Sequence, residues 1–506
     1  MARIGPAITA AVADGTGIEP GARPPRFPDV VRRHWGVVAL SVVIFAFYCT
    51  YAVSRQATML TSGYDLGIFD QTIRQYARFH APLVALKGPG YNIFADHFHP
   101  IIAVLAPLYW IWDTPYVLVL AQSVLVAASV PIVYDFTQRR LPRGPSLIVT
   151  FAYGFGWPIQ ALVAFDFHEI AFAVPLLAGA VNALDKGRDR TLLVCAVLLL
   201  LTREDMGALV VVLGLLRLTR APRRVGWILV GAGVAGLLLA TAVIIPAFSP
   251  SGHFSYWTFD ALGPDVPGAV HTVLIRPWQV LHVFFTPSTK VETLAYLLLP
   301  LALLSVRSRY VILAVPLLAE RFLNSRSQLW TTEFHYNALP WVVLVLAMVD
   351  GADRLGVWRW RPSRYALLGW LAVVPIALTN WPGPLPNLTW QMLDGAAFRL
   401  SSTRQVNRMA LQMIPRDACV WAPDRVAPQL TNRDRVTIPG LGGPGPDFVL
   451  LDLDQKSVAY QRGRPQRFLY KLRARGYVTV FRQRSVVLLR SPHYRGPSSH
   501  CSPTAP

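Results

Sequence analysis

The sequence predicts an α-helical polytopic membrane protein of about eleven spans, with a small α/β domain near its C-terminus held outside the membrane. Three observations carry that prediction. Of 506 residues, 53% are hydrophobic and only 15% charged, with a mean hydropathy of +0.39, whereas a soluble chain carries about a quarter charged residues. Several apolar runs reach the roughly 17–25 residues that hydrocarbon requires. Basic residues collect in alternate loops between the runs, and acids with histidines in the others, as expected when loop charge orients a membrane protein. The net charge of +20 and pI of 10.2 therefore speak for membrane orientation and not for a nucleic-acid partner.

Residues 1–35, rich in Ala, Gly and Pro, read as a flexible cytoplasmic tail without a cleavable signal. Val37–Val53 is a signal anchor, and Arg23, Arg26, Arg32 and Arg33 before it place the N-terminus inside. It opens the transmembrane domain, 36–380, whose first outer loop is 54–100. Ile101–Trp112 is short for a span and reads as an interfacial or re-entrant helix. Tyr116–Phe136 returns to Arg139, Arg140 and Arg143, and Ser146–Val163 runs out to Phe165-Asp166-Phe167-His168-Glu169. Ile170–Leu184 comes back to Lys186, Arg188 and Arg190. Thr191–Leu201 and Met206–Leu216 are very short helices joined by Thr202-Arg203-Glu204-Asp205, so this trio sits below the membrane surface in a cavity or the bilayer thins there.

Val225–Ile245 leads out to a long loop, 248–290. Thr293–Val306 and Tyr310–Leu323 flank Arg307 and Arg309, and the outer loop 324–337 follows. Ala338–Val349 returns to a basic loop, and Tyr365–Leu378 exits. An extracytoplasmic α/β domain, 381–491, then contains helices at 403–414 and 465–475, strands at 419–422 and 448–452, and a hairpin over 477–489. Residues 492–506 read as a disordered Pro/Ser tail. Cys49 and Cys195 are packing residues; a Cys419–Cys501 disulfide suits an oxidising outer face, but the disordered tail argues against it.

Ionisable groups beside hydrocarbon cost a few kcal/mol and so point to function. Asp65 and Asp70 stand five residues apart in the first outer loop. If Leu66–Phe79 is an amphipathic helix lying on the surface, Asp65 is either its N-cap, worth about 1 kcal/mol, or a functional carboxylate. Asp70 falls within the first turns and is harder to explain as a cap. Either could act as a general base or a cation ligand. Asp96, His97 and His99 lie where the chain re-enters the membrane, and Glu333, His335 and Tyr336 form a similar outer cluster. Asp166, His168 and Glu169 are candidate ligands for a divalent cation such as Mg, Mn or Ca, although no strong metal spacing is present. Arg203, with Glu204 and Asp205, is either a self-neutralising turn or a phosphate site, since guanidinium matches phosphate oxygens in a fork. Arg321 and Arg326 suit the same partner.

Five motifs in order, Tyr64-Asp65-Leu66-Gly67-Ile68-Phe69-Asp70-Gln71, His97-Phe98-His99-Pro100-Ile101, Phe165-Asp166-Phe167-His168-Glu169, Thr202-Arg203-Glu204-Asp205 and Phe334-His335-Tyr336, carry a family likeness. Over about residues 36–455 the chain resembles the prokaryotic polytopic membrane proteins grouped as domain of unknown function 2079. Arg203 departs from a more usual Lys, which bears on geometry and leaves the charge unchanged. That family is similar in layout to the C-type (GT-C) glycosyltransferases, which have a first-loop acid, many membrane helices and often an outer C-terminal domain.

The resemblance implies transfer of a sugar from a polyprenyl-phosphate donor to an envelope glycan or lipid acceptor on the outer face of the plasma membrane. Asp65 or Asp70 would be the first-loop acid, and Arg203 with His335 would stabilise the departing lipid phosphate. His97, His99, Glu204, Asp205, Arg326 and Tyr336 complete the expected substrate-binding set. A transporter or flippase of an envelope precursor is the alternative, and an envelope scaffold a third reading.

Overall fold

The computed structural model describes residues 27–496 apart from 255, 381, 382, 384, 434, 442–444 and 455–464. Tail residues 1–26 and 497–506, and with them Cys501 of the Cys419–Cys501 pair, lie outside the described residues. Five helices are long and apolar enough to cross a membrane: His34–Ala57, Tyr116–Gln138, Arg143–Ala164, Arg224–Phe248 and Arg361–Thr379. The first begins at Phe27 and kinks at His34, so the last part of the expected tail is helical. Other expected spans are shorter helices. Ile170–Lys186 and Ala338–Arg354 have 17 residues each, Asp189–Leu200 has 12 and Met206–Leu218 has 13. Ala338–Arg354 is the centre of the bundle, buried at every residue from Ala338 to Ala352, as befits a helix that is apolar all round.

Two expected spans are not continuous helices. Ser288–Leu298 ends in three 3-10 segments, Leu299–Leu301, Leu304–Arg307 and Arg309–Leu313, before Ala314–Phe322 resumes. Pro300 lacks an amide donor, and Ala302 and Leu303 take left-handed φ of 50° and 60°, so the helix cannot continue. Irregular backbone at membrane depth is tolerated where protein buries it. Here Ser305 Oγ donates to Leu344 O of the central helix at 2.8 Å. Gly351 lets the two backbones meet, since a Cβ there would stand 2.1 Å from Leu304 O.

The span expected over 146–163 is one crossing, Arg143–Ala164, built of two helical pieces, Arg143–Gly154 and Trp157–Ala164. They part at Gly156, where a Cβ would stand 2.5 Å from Trp341 Nε1. That indole donates to Tyr153 O at 3.1 Å and satisfies a carbonyl beside the break. Gly156→Ala is expected to cost about 1–3 kcal/mol through overpacking, read as a lower unfolding temperature of the solubilised protein. An unchanged midpoint would mean that the indole gives way freely.

The bundle's ends differ in charge. At one, Arg139 and Arg140 each reach Asp185 at 2.8 Å, and Tyr310 Oη donates to it at 2.7 Å. Asp350 beside them accepts from Arg354 and Ser308 at 2.8 and 2.7 Å. The acid and histidine clusters meet at the opposite end, as their shared position in alternate loops implies.

A mixed five-stranded sheet forms the C-terminal part: β1 (Val420–Trp421), β2 (Val436–Thr437), β3 (Phe448–Asp452), β4 (Val478–Gln483) and β5 (Val486–Arg490), in the order β2-β1-β3-β5-β4. β1 runs parallel to β2 and β3, whereas β5 runs antiparallel to β3 and β4. Helix Pro465–Ala474 covers one face, seating Leu469 and Leu472 with Trp421, Val449, Leu451, Val487 and Leu489. The other face packs against helix Ser402–Gln412 and the first outer loop. Met59, Ile68, Val84, Leu86 and Ile93 of that loop share a core with Val420, Phe448, Leu450 and Leu488. The helix expected to lie on the surface over 66–79 is therefore Ile68–Ala77, with nine of its ten residues buried. Its apolar side meets the bundle, and the sheet covers the rest.

Candidate functional site

Asp65 sits in a single π-type turn, Gly63–Gly67, whose closing bond runs from Ile68 N to Gly63 O. The cap of this turn is Ser62, whose hydroxyl accepts from Tyr64 N at 3.1 Å. The capping reading of Asp65 therefore does not hold, and its side chain stays 22% exposed. The C-terminal part pins the turn from outside. Asp424 Oδ1 accepts from Ser62 Oγ and Tyr64 N at 3.0 Å each, and Asp424 O accepts from Gly63 N at 2.9 Å.

Asp70, the other first-loop acid, is 0% exposed. Its carboxylate is held by Arg74 Nη2 at 2.8 Å and by Tyr109 Oη at 2.6 Å. Asp166 is likewise committed. It accepts from Arg55 Nη2 at 3.1 Å and from Ser62 N at 2.7 Å, thereby tying the first helix to the Asp65 turn.

His168 Nε2 stands 3.5 Å from Asp65 Oδ1, at ion-pair distance. Its ring stacks on His335 with centroids 4.1 Å apart, and Phe165 stacks on both histidines at 5.1 Å. Burial pulls the His168 imidazole down in pKa, but the Asp65 carboxylate, with Glu169 and Asp166, outweighs it and the net direction is up. His335 goes well down, through burial and then the charge of His168 and Arg203. The two stacked imidazoles are thus shifted in opposite directions, the pattern that separates charge-bearing from neutral donor roles. Both Nδ1 atoms are buried without a partner, as is Nδ1 of His99 between Phe69 and Phe94. A buried polar atom left unpaired is costly and calls for an explanation.

His335 and Tyr336 line a small cavity with Arg203, Asp205, Glu320 and Arg321 on its polar side. Ile170, Leu317, Leu339 and Pro340 form the apolar side. Arg203 gives Nε to Asp205 at 2.6 Å and Nη2 to the same carboxylate, while Nη1 stands 3.9 Å from Glu169. Arg321 spends its donors on Leu329 O, Tyr336 O and Asn337 Oδ1, at 2.7–3.1 Å, and so shapes the His335 loop.

On the first-loop side, His97 Nδ1 lies 2.7 Å from Glu204 Oε1, and Phe98 N donates to Glu204 Oε2 at 3.1 Å. Tyr256 stacks on His97 at 4.6 Å, bonds Asp96, and carries the Arg326 guanidinium 5.5 Å over its ring. Burial opposes charge on His97, yet Glu204 raises it to about 9, and Glu204 itself is lowered to about 2 against the cost of burial. The raised histidine contributes stability that is full below its ordinary 6.5 and lost as pH rises through about 9. The depressed Glu204 contributes above its ordinary 4.5 and loses that contribution as pH falls through about 2. The unfolding midpoint is therefore expected to fall between pH 6.5 and 9, and His97→Asn to flatten that slope. An equal slope in the variant would remove the pair as its cause.

The expected residues thus divide. Asp65, His168, His335, Tyr336, Arg203 and Asp205 gather around one cavity and its rim, with His97, Glu204 and Arg326 beside it, whereas Asp70, Asp166 and His99 are turned into the core. The candidate cation ligands face three partners: Asp166 faces Arg55, His168 faces Asp65, and Glu169 faces Arg203. Among the described residues no three His, Cys, Asp or Glu side chains are grouped so as to hold a metal ion. Sequence reasoning missed Glu320, Tyr256 and Asp424. Glu320-Arg321, a charged pair closing an apolar run, was a usable signal for the first; nothing local marks the other two.

No curated protein matches the chain. Among solved structures it is similar to ArnT from Cupriavidus metallidurans bound to undecaprenyl phosphate, at 12% identity and a TM-score of 0.49, over 92% of this chain and 100% of that one. It is also similar to the Archaeoglobus fulgidus oligosaccharyltransferase tethered to an acceptor peptide, at 10% identity and a TM-score of 0.37, over 84% of this chain and 70% of that one. The family described as predicted membrane protein (DUF2079) matches residues 55–488. That match spans most of the sequence, from the end of the first helix to the last strand, and the chain belongs to the DUF2079 family of predicted membrane proteins.

Proposed function

We propose that this protein is a membrane glycosyltransferase that moves a sugar from a polyprenyl-phosphate donor to a cell-envelope acceptor on the outer face of the plasma membrane. The reading is carried by the row Asp65, His168, His335, which joins a first-loop carboxylate to a cavity with Arg203 on one side and an apolar wall on the other. An acceptor hydroxyl beside Asp65 gives its proton to the carboxylate while its oxygen attacks the anomeric carbon of the donor sugar. The bond from that carbon to the phosphate oxygen breaks, and its electron pair leaves with the lipid phosphate. Arg203 Nη1 and the neutral His335 meet the developing charge. Ile170, Leu317 and Leu339 suit the first isoprene units of the carrier. No cation enters this scheme.

The positive-inside rule puts the Arg139, Arg140 and Arg354 end in the cytoplasm, the N-terminus with it, and the site and C-terminal sheet outside. A transporter would need charges near mid-membrane and access from both ends. The cluster of Asp65, His168 and Arg203 at one end, with the Asp185 and Asp350 network closing the other, supports the enzyme. Purified protein given radiolabelled polyprenyl-phosphate sugars and a membrane acceptor fraction is expected to transfer label, and its Asp65→Asn variant to transfer about 100-fold less or lower still. Absence of transfer from every donor would overturn the reading.

A further inference from the structure

Residues 465–496 contain eight Lys or Arg and neither Asp nor Glu. All eight are exposed. Arg467, Lys471 and Arg475 recur every four residues along one side of helix Pro465–Ala474 and its end, about 6 Å of rise between successive cations. Arg473 extends the row sideways to the sheet by donating to Thr479 Oγ1 at 3.0 Å. Arg482 pairs in register with Val487, which lies in the core beneath this helix, so Arg482 shares the helix-covered face of the sheet. Among the described residues none of these cations has a carboxylate within 4.0 Å. Tyr470, 74% exposed, stands within the row.

Concentrated like charge without counter-charges destabilises a fold unless a partner supplies them. Four of the five cations named are arginines, whose forked donors fit anionic oxygens in pairs. We infer that this face is a docking surface for a polyanionic glycan, one bearing an anionic group on each repeat. The helix lies on the sheet face opposite the one fused to the first outer loop, so its cations look away from the bundle and from the lipid around it. An extended polymer, and not the membrane surface, is the occupant that this placement suits. The choice of glycan over nucleic acid rests on the outward placement of the C-terminal sheet proposed above. The binding itself needs no transferase activity, so its failure is distinguishable from failure of that reading.

The test uses the full chain in nanodiscs of neutral phosphatidylcholine, with polygalacturonate as probe and dextran as the uncharged control. Polygalacturonate is expected to bind and dextran not. Replacing Arg467, Lys471, Arg473 and Arg475 by Gln is expected to weaken binding roughly tenfold or more, and to flatten its salt dependence. A fourfold Gln variant at Arg188, Arg190, Arg359 and Arg361, exposed cations of the opposite end, is expected to bind like the parent. Equal binding by the first variant, or no binding by the parent, overturns the inference. So does capture by phosphatidylglycerol vesicles without polygalacturonate binding, or duplex DNA of equal charge binding as tightly.

Discussion

Asp65→Asn is expected to lower sugar transfer by about 100-fold or more with the unfolding temperature unchanged, whereas Asp70→Asn is expected to do the reverse. The first figure is the usual contribution of a positioned general base. Asp65 is partly exposed, is not the cap of its turn, and among the described residues faces only His168 at ion-pair distance. Its amide isostere therefore removes the base and leaves the Ser62 and Asp424 bonds that shape the turn. Asp70 is sealed between Arg74 and Tyr109. Removing one partner of a buried pair costs about 3–5 kcal/mol because the other charge is stranded. Asp113 also reaches Arg74, at 3.0 Å, which places Asp70→Asn towards the lower end of that range. Parallel transfer assays and thermal unfolding decide the matter. Loss of transfer in Asp70→Asn at an unchanged midpoint would move the role to Asp70.

Asp166→Ala is the second large expected effect, about 3–5 kcal/mol of destabilisation. The variant strands Arg55, whose side chain is only 15% exposed, and frees the Ser62 amide that holds the start of the Asp65 turn. The loss should appear in denaturant or thermal unfolding and should not depend on added Mg, Mn or Ca. A variant of parental stability whose transfer was restored by one of these cations would instead return Asp166 to a ligand role.

Much of the site's location was legible because hydrocarbon allows charge only where chain ends or cavities provide for it. The motifs at 97–99, 165–169, 202–205 and 334–336 terminate apolar runs, and alternation of the runs brings all four to the end opposite the basic loops. The C-terminal elements were legible too, since the hairpin over 477–489 and the helices at 403–414 and 465–475 show their own periodicity. Helix breaks at Gly156 and at 299–313 were not: the first answers Trp341, and at the second Pro300 is a local signal whose outcome the central helix near Gly351 decides.

By itself the sequence determined the membrane character of the chain, the sorting of its loops by charge, and the small set of polar clusters from which a site could be built. It could not choose between Asp65 and Asp70. Asp65 lies in the turn Gly63–Gly67 and Asp70 in the helix that follows, and which of the two meets the cavity depends on what covers these elements. That cover is the C-terminal sheet, with Asp424 holding the turn through Ser62, Gly63 and Tyr64. Only the tertiary structure decided that Asp70 is buried and that Asp65 faces His168, because the contacts that cover this loop, some made across 360 residues of chain, leave no mark in either local sequence.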